Sequence, residues 1–215
     1  MDLRATPIVK AVKDQWDQGQ VFTVKGSPLI YRRIVGGLAW AGPESRSSHN
    51  AICVLGEERD KDFSTGQHPV RVLFECLLQS VEDTLDEAAR LLDVMKCASW
   101  VTPLDSPESV RVQQWGRERS LRRLPRLSII SPPAVDFMIL HNLTLRRTSS
   151  NKTMYFGERS LAANQYVAVR PEDYYRPVRV FPHVAACLYA LAVLDMRAPG
   201  SNKPRESTLP AEGGY

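Results

Sequence analysis

The stretch 29–40 reads Leu-Ile-Tyr-Arg-Arg-Ile-Val-Gly-Gly-Leu-Ala-Trp. Its β-branched and aromatic side chains favour a strand that rises into Gly36-Gly37. A second apolar run, 51–55, follows a stretch rich in turn residues and ends at Gly56-Glu57-Glu58. The two runs predict an antiparallel hairpin that opens the main domain near Leu29.

The chain next to this hairpin predicts a three-strand meander and a helix. A third strand is expected over 70–78, and the short gaps rich in turn residues favour antiparallel connections. Ser80 offers an N-cap with Asp83 three residues later, a variant of the capping box. Apolar residues at helical spacing follow it, which predicts a helix over 81–96. These residues are Val81, Leu85, Ala88, Leu92 and Met95.

Further elements are predicted on both sides of this core. The sequence indicates a short buried strand over 98–102, a basic helix over 108–123, a strand over 127–131 and a closing helix over 182–197. The stretch 137–145 fits either a helix or a strand. Residues 1–28 are expected to form a lead-in made of a helix (7–16) and a strand (21–25), and the tail over 198–215, rich in Pro, Gly and Ser, is expected to be disordered.

Length and composition favour one soluble, cytoplasmic domain. The chain has 215 residues and a net charge of +4, and no apolar run approaches the roughly 18 residues of a membrane span. Its N-terminus lacks a secretory signal pattern. The four cysteines and four histidines are scattered without the spacing of metal ligands, so we expect buried free thiols and no metal site.

The order of elements over 29–197 resembles the RNase H-like superfamily, in particular the nuclease domain of phage terminase large subunits. The features that carry the resemblance are the strand ending in Gly36-Gly37, the strand ending in Gly56-Glu57, the crossover helix, the strand followed by Asp105, and the Ala-rich last helix. The resemblance implies an α/β fold with a mixed sheet: an antiparallel three-strand meander, a crossover helix, further strands and a C-terminal helix. It also implies DNA as the substrate class and a phage or prophage origin.

Catalysis in that family requires carboxylates that hold divalent metal ions. Asp105 matches the acid after the fourth strand, whereas Leu38-Ala39 and Pro182-His183 stand where the family has its other acids. The sequence therefore predicts a catalytically inactive scaffold with no metal and no cofactor. An active Mg²⁺-dependent nuclease stays open as an alternative, with Asp105, Glu58 and Glu75 as its candidate acids. Their other interpretations are a turn or N-cap for Asp105, a solvated end of a strand for Glu57 and Glu58, and an outward-facing position for Glu75.

A cluster of arginines provides the candidate binding site. The guanidinium group suits phosphate recognition, and such a cluster can bind a nucleic-acid backbone without reading its sequence. We expect nucleic acid, DNA rather than RNA, to contact it. The alternative is a solvated helix face that pairs with acids of the helix 81–96. The candidate residues are Arg117, Arg119, Arg122, Arg123 and Arg126.

The segment 166–181 supports a third possibility. It mixes aromatic side chains such as Tyr166, Tyr174 and Phe181 with arginines, a composition found at protein interfaces. A structural or protein-interaction domain without nucleic-acid binding is therefore the second alternative function. The same composition also fits a long loop that packs over a sheet.

Overall fold

The computed structural model describes residues 6–14, 19–41, 49–97, 99–132, 136–175 and 181–196. The strands are β1 (Val9–Lys13), β2 (Gln20–Val24), β3 (Ile30–Ala39), β4 (Asn50–Glu58), β5 (Val70–Leu78), β6 (Ser99–Val101), β7 (Ser128–Ile130) and β8 (Met154–Tyr155). The helices are α1 (Val81–Met95), α2 (Ser109–Leu121), α3 (Phe137–Ser149), α4 (Leu161–Tyr166) and α5 (Pro182–Met196), with a 3-10 helix over Pro171–Tyr175. The predicted disordered tail over 198–215 lies outside the described residues.

All described strands belong to one sheet whose centre has the RNase H-like order. The central strands run β5-β4-β3-β6-β7. β4 is antiparallel to both β3 and β5, whereas β6 is parallel to β3 and β7 is parallel to β6. A meander followed by two crossover units gives this order, so the predicted α/β fold with an RNase H-like mixed sheet is confirmed.

This topology gives the sheet two different edges. β3, β5, β6 and β7 run in the same direction. We call the edge where these four strands end the carboxyl edge, and the edge where they begin the amino edge. Because α1 and α2 each connect two parallel strands, both helices start at the carboxyl edge and return to the amino edge.

Helices cover both faces of the sheet, and each face has its own apolar core. α1 and α2 pack on one face, over a core that includes Leu38, Ile52 and Trp100. α5 packs on the other face, where its small residues share one core with Ala39 and Ala51. Within the described residues, no helix is both long and apolar enough to cross a membrane.

Gly36 and Gly37 explain how the two layers approach the sheet so closely. A Cβ built on Gly36 would lie 2.4 Å from the indole ring of Trp100. A Cβ built on Gly37 would lie 1.8 Å from the carbonyl oxygen of Ala186 in α5. Neighbouring residues of a strand point to opposite faces, so the glycine pair admits a tryptophan on one face and a helix backbone on the other.

The N-terminal lead-in differs from the prediction. Residues 9–13, predicted to be helical, form β1, which pairs with β2 along five residues. β2 in turn pairs with β3 through Phe22 and Thr23. Val9 is buried against the α1 face, so cross-strand pairing and burial override the weak helical spacing. The lead-in is therefore part of the same sheet.

The crossover helix α1 is close to its prediction. The Ser80 side chain accepts a hydrogen bond from the backbone N–H of Asp83, which confirms the N-cap. Leu85 is fully buried, but Leu91 takes the buried position expected for Leu92, which is half-buried. The stretch 137–145, which the sequence left open, lies in α3.

Candidate nucleic-acid interface

The carboxyl edge, where the resemblance places metal-binding acids, is filled by apolar packing. Leu38 and Ala39 at the end of β3 are fully buried. The backbone of α5 occupies the space in front of Gly37, where even a methyl group would clash. A carboxylate side chain would therefore need α5 to move away from the sheet.

Asp105 lies beyond the end of β6 and is exposed. It is not the N-cap of α2, which is Glu108. Its charge acts on Tyr189 of α5: burial, with a smaller contribution from Asp105, raises the pKa of Tyr189 to about 12. Asp105 is thus a surface carboxylate near the half-buried phenol of Tyr189.

Glu57 and Glu58 lie at the amino edge, at the end of β4, and are not solvated acids. Glu57 is buried, and its carboxylate accepts hydrogen bonds from Arg32 Nε at 2.7 Å and Arg33 Nε at 2.6 Å. Glu58 accepts one from Arg71 Nε at 2.5 Å. The predicted solvated position was wrong because arginines from β3 and β5, distant in sequence, reach the end of β4.

Glu75 is committed to a structural role on the α5 face. Its carboxylate accepts hydrogen bonds from the backbone N–H groups of Leu161 at 2.6 Å and Ala162 at 3.1 Å, and from the Ser160 hydroxyl at 3.2 Å. It therefore caps the start of α4. The outward-facing interpretation of Glu75 was wrong.

The three candidate acids do not form a site. Asp105 lies at the carboxyl edge, Glu58 at the amino edge and Glu75 within β5. In the part of the chain that the structure describes, no group of three His, Cys, Asp or Glu side chains could hold a metal ion. His183, which stands where the family has an acid, is fully buried, and neither ring nitrogen has a hydrogen-bond partner. Burial lowers the pKa of His183, which favours the neutral ring.

The arginine strip, defined as Arg117, Arg119, Arg122, Arg123 and Arg126, lies at the end of α2 and in the loop to β7. Backbone hydrogen bonds from Arg123 N–H to the Ser120 carbonyl (3.0 Å) and from Leu124 N–H to the Arg119 carbonyl (2.9 Å) close the helix. This pair of bonds is the Schellman motif. Its left-handed position is usually glycine, but here it is Arg123, with a φ of 57°.

Two arginines of α2 are neutralised by acids of α1. Arg111 forms a salt bridge with Glu82 at 2.8 Å. Arg119 lies 3.8 Å from Asp86, and its guanidinium stacks over the Trp115 ring at 4.7 Å. The Trp115 indole also donates a hydrogen bond to Asp86. The interpretation of a paired helix face therefore holds for this side of α2, which includes Arg119.

The other four arginines of the strip point away from α1 and are exposed. Arg126 donates a hydrogen bond to the Ser120 hydroxyl, and none of the four forms a salt bridge with a described acid. Two of them, Arg117 and Arg126, border an open groove of about 680 Å³ between α2 and β7, with an apolar floor that includes Leu127 and Ile129. The four exposed members are Arg117, Arg122, Arg123 and Arg126.

Exposed cations also occur in the other turns at the amino edge. Each described turn that leads into β3, β5, β6 or β8 carries an exposed lysine, which the sequence analysis did not single out. No local motif marks them, because only the topology brings the turns together. These lysines are Lys25, Lys61, Lys96 and Lys152.

Three aromatic side chains of the segment 166–181 pack inward. Tyr166 and Phe181 are buried. Tyr166 stacks on His141, with ring centroids 5.5 Å apart, and Tyr174 also contacts His141 at 5.6 Å. The segment thus packs over the α5 side of the sheet. Residues 176–180 lie outside the described part of the chain.

Comparisons with known proteins add a similarity in structure. The chain matches no known protein-family profile and no curated protein in sequence. Among solved structures, the crystal structure of the fowlpox virus Holliday junction resolvase is similar over 75% of this chain and 98% of the resolvase chain, with 6% sequence identity and a TM-score of 0.36. The assignment of the RNase H-like fold rests on the strand order and directions described above.

Proposed function

We propose that this protein binds nucleic acid through the amino edge of an RNase H-like scaffold and does not cleave it. The observation that carries the proposal is the exposure of Arg117, Arg122, Arg123 and Arg126 without acidic partners among the described residues. Acids of α1 neutralise the neighbouring Arg111 and Arg119 but do not reach these four.

Recognition of the phosphate backbone fits this surface. Guanidinium groups bind phosphate oxygens through paired hydrogen bonds, and a helix end that displays several of them can bind without reading sequence. The exposed lysines of the adjacent turns extend the positive surface along the amino edge. DNA is the first ligand to test.

A binding role without catalysis is supported by the carboxyl edge. The end of β3 has no acid at Leu38 or Ala39, and α5 fills the space in front of the strand. Asp105 alone could not clamp the attacking and leaving oxygens of a phosphodiester between two metal ions. A phage or prophage origin, like the likeness to terminase nucleases, is proposed from the sequence resemblance alone.

The test is the salt dependence of binding. Fluorescence anisotropy with a labelled duplex should show weak sequence preference and a log–log slope of about −0.9 for each phosphate contacted. The double variant Arg122→Ala/Arg123→Ala should reduce the magnitude of that slope by about two. Its melting temperature should stay nearly unchanged, because exposed arginines contribute little to folding.

A second double variant provides the control. Arg111→Ala/Arg170→Ala removes the same charge from exposed positions outside the strip and should leave the slope unchanged. If wild-type protein binds neither DNA nor RNA at low salt, the proposal fails and the protein-interaction alternative replaces it. If both double variants change the slope equally, the strip is not the contact surface.

Catalysis is tested separately with a supercoiled plasmid and Mg²⁺ or Mn²⁺. We expect no cleavage by wild-type protein. Cleavage that disappears in Asp105→Ala would show that the active-nuclease alternative is correct.

A further inference from the structure

The loop between β4 and β5 is held in one conformation by a single carboxylate. Asp62 Oδ1 accepts hydrogen bonds from the backbone N–H groups of Ser64 and Thr65, at 3.0 and 2.9 Å, and from their hydroxyls, at 2.5 and 3.0 Å. The Ser64 hydroxyl is the main cause of a lowered pKa for Asp62. Backbone hydrogen bonds of 2.8 Å from Asp62 N–H to the Gln67 carbonyl and from Gly66 N–H to the Asp62 carbonyl close the loop.

This ordered loop presents an aromatic ring to solvent. Phe63, next to Asp62, is fully exposed, more so than any other large apolar side chain among the described residues. Burying a phenylalanine side chain stabilises a fold by about 1.5–3 kcal/mol. Phe63 contributes none of this free energy to folding because its ring is exposed. A rigid turn that holds out an unburied ring is a preorganised contact.

The loop lies at the amino edge, on the same side of the sheet as the arginine strip. Three to four strand-to-strand steps separate the β4–β5 loop from the start of β7, which corresponds to about 14–19 Å at about 4.8 Å per step. At about 3.4 Å per nucleotide, that distance is about five nucleotides of one strand. One short nucleic-acid segment can therefore reach both features.

We propose that Phe63 stacks on an unpaired base, so that the nucleic acid bound at the amino edge contains a single-stranded segment. This inference rests on the proposed function. Stacking of bases on aromatic rings, combined with phosphate contacts from arginines, is how proteins bind single strands without reading sequence. The exposed Lys61 lies two residues before Phe63 in the same loop, between Asp60 and Asp62.

The experiment compares single-stranded and duplex DNA of the same sequence with wild-type protein, Phe63→Ala and Phe63→Leu. Phe63→Ala should weaken single-strand binding by about tenfold or more, with an unchanged salt slope, because no phosphate contact is lost. Phe63→Leu should behave like Phe63→Ala, since leucine keeps the apolar bulk but has no ring face. Val167→Ala, which truncates another exposed apolar residue, should leave binding unchanged.

The outcomes separate this inference from the function on which it rests. If wild-type protein binds single strands with a steep salt dependence and Phe63→Ala binds equally well, the stacking proposal is wrong and the proposed function stands. Equal losses on single-stranded and duplex DNA, or full binding by Phe63→Leu, would also overturn stacking on an unpaired base. If wild-type protein binds no nucleic acid, the proposed function itself fails.

Discussion

The two edges of the sheet differ in charge and in packing. The described loops that follow β6 and β7 at the carboxyl edge carry Asp105, Glu108 and Asp136 and no lysine or arginine. At the amino edge each described turn into β3, β5, β6 or β8 carries an exposed cation, the β4–β5 loop also carries Asp60 and Asp62, and the arginine strip lies beside them. The carboxyl edge is also closed by α5 against Gly37, whereas an open groove runs along α2 beside β7 and reaches Arg126 near the amino edge.

The comparison separates the fold from its usual chemistry. Sites are grafted on folds, and the same scaffold can lose one site and present another. Small residues of α5 and the end of β3 pack closely where the resemblance implies carboxylates, and this packing stabilises the sheet. The loops of the amino edge are free to carry function because they do not contribute to that core.

The closed carboxyl edge predicts the largest effect. Gly37→Ala should destabilise the fold by at least about 3 kcal/mol, because the added methyl group would meet the helix backbone and not a flexible side chain. Urea denaturation followed by circular dichroism measures the change in free energy of unfolding.

Gly116→Ala in α2 is the matched control for Gly37→Ala. No atom lies within 4 Å of a Cβ built on Gly116 in α2, so alanine should stabilise that helix by about 0.5–1 kcal/mol. A small effect of Gly37→Ala, similar in size to that of Gly116→Ala, would mean that α5 does not close the carboxyl edge.

The fold was largely predictable because its signals are local and strong. The three-strand meander, the Ser80 cap and the apolar spacing of α1 each follow from short stretches of sequence. The N-terminal helix was wrong because β1 is determined by its pairing with β2 and by burial of Val9. Tertiary contacts of this kind override a weak helical pattern.

Of the candidate site, the sequence could predict only the local excess of arginines. The sequence contains the arginine strip, but Arg119 pairs with Asp86, 33 positions away, and Glu57 with Arg32 and Arg33. Which arginines stay exposed therefore depends on the packing of α2 on α1. Phe63 was missed because exposure in a turn has no sequence pattern.

A second prediction concerns pH and three histidines, of which His141 and His183 are buried and His68 is half-buried. Burial is the main cause of a lowered pKa for His68, His141 and His183. Since the unfolded state then binds more protons, the stability from the neutral rings is present above about pH 6.5 and is lost as pH falls through the folded-state pKa values. Each histidine can contribute up to about 1.4 kcal/mol per pH unit to the slope. Denaturation between pH 8 and pH 5 measures it.

His183→Leu tests the contribution from the carboxyl edge. Both ring nitrogens of His183 lack partners, so leucine should change stability at pH 8 by no more than about 1 kcal/mol. The decrease in the free energy of unfolding between pH 8 and pH 5 should become smaller, because one buried group no longer needs to take up a proton. An unchanged pH profile would show that His183 does not titrate in this range, and that His68 and His141 account for the slope.

The last prediction concerns Arg123, where the amino edge uses a residue that the backbone disfavours. An L-residue in the left-handed region costs about 1–2 kcal/mol, and this residue has a φ of 57° at the end of α2. Arg123→Gly should therefore raise the free energy of unfolding by about 1 kcal/mol. If its guanidinium contacts a phosphate, the same change should reduce the magnitude of the salt slope by about 0.9.

Arg122→Gly is the control for this prediction, because Arg122 has a φ of −85°. It removes the same charge but should lower the free energy of unfolding by a few tenths of a kcal/mol. Opposite signs in stability with equal losses in slope would show that Arg123 is retained for binding at the expense of folding. A stabilised Arg123→Gly variant with an unchanged slope would remove Arg123 from the interface and leave Arg117, Arg122 and Arg126 as its phosphate contacts.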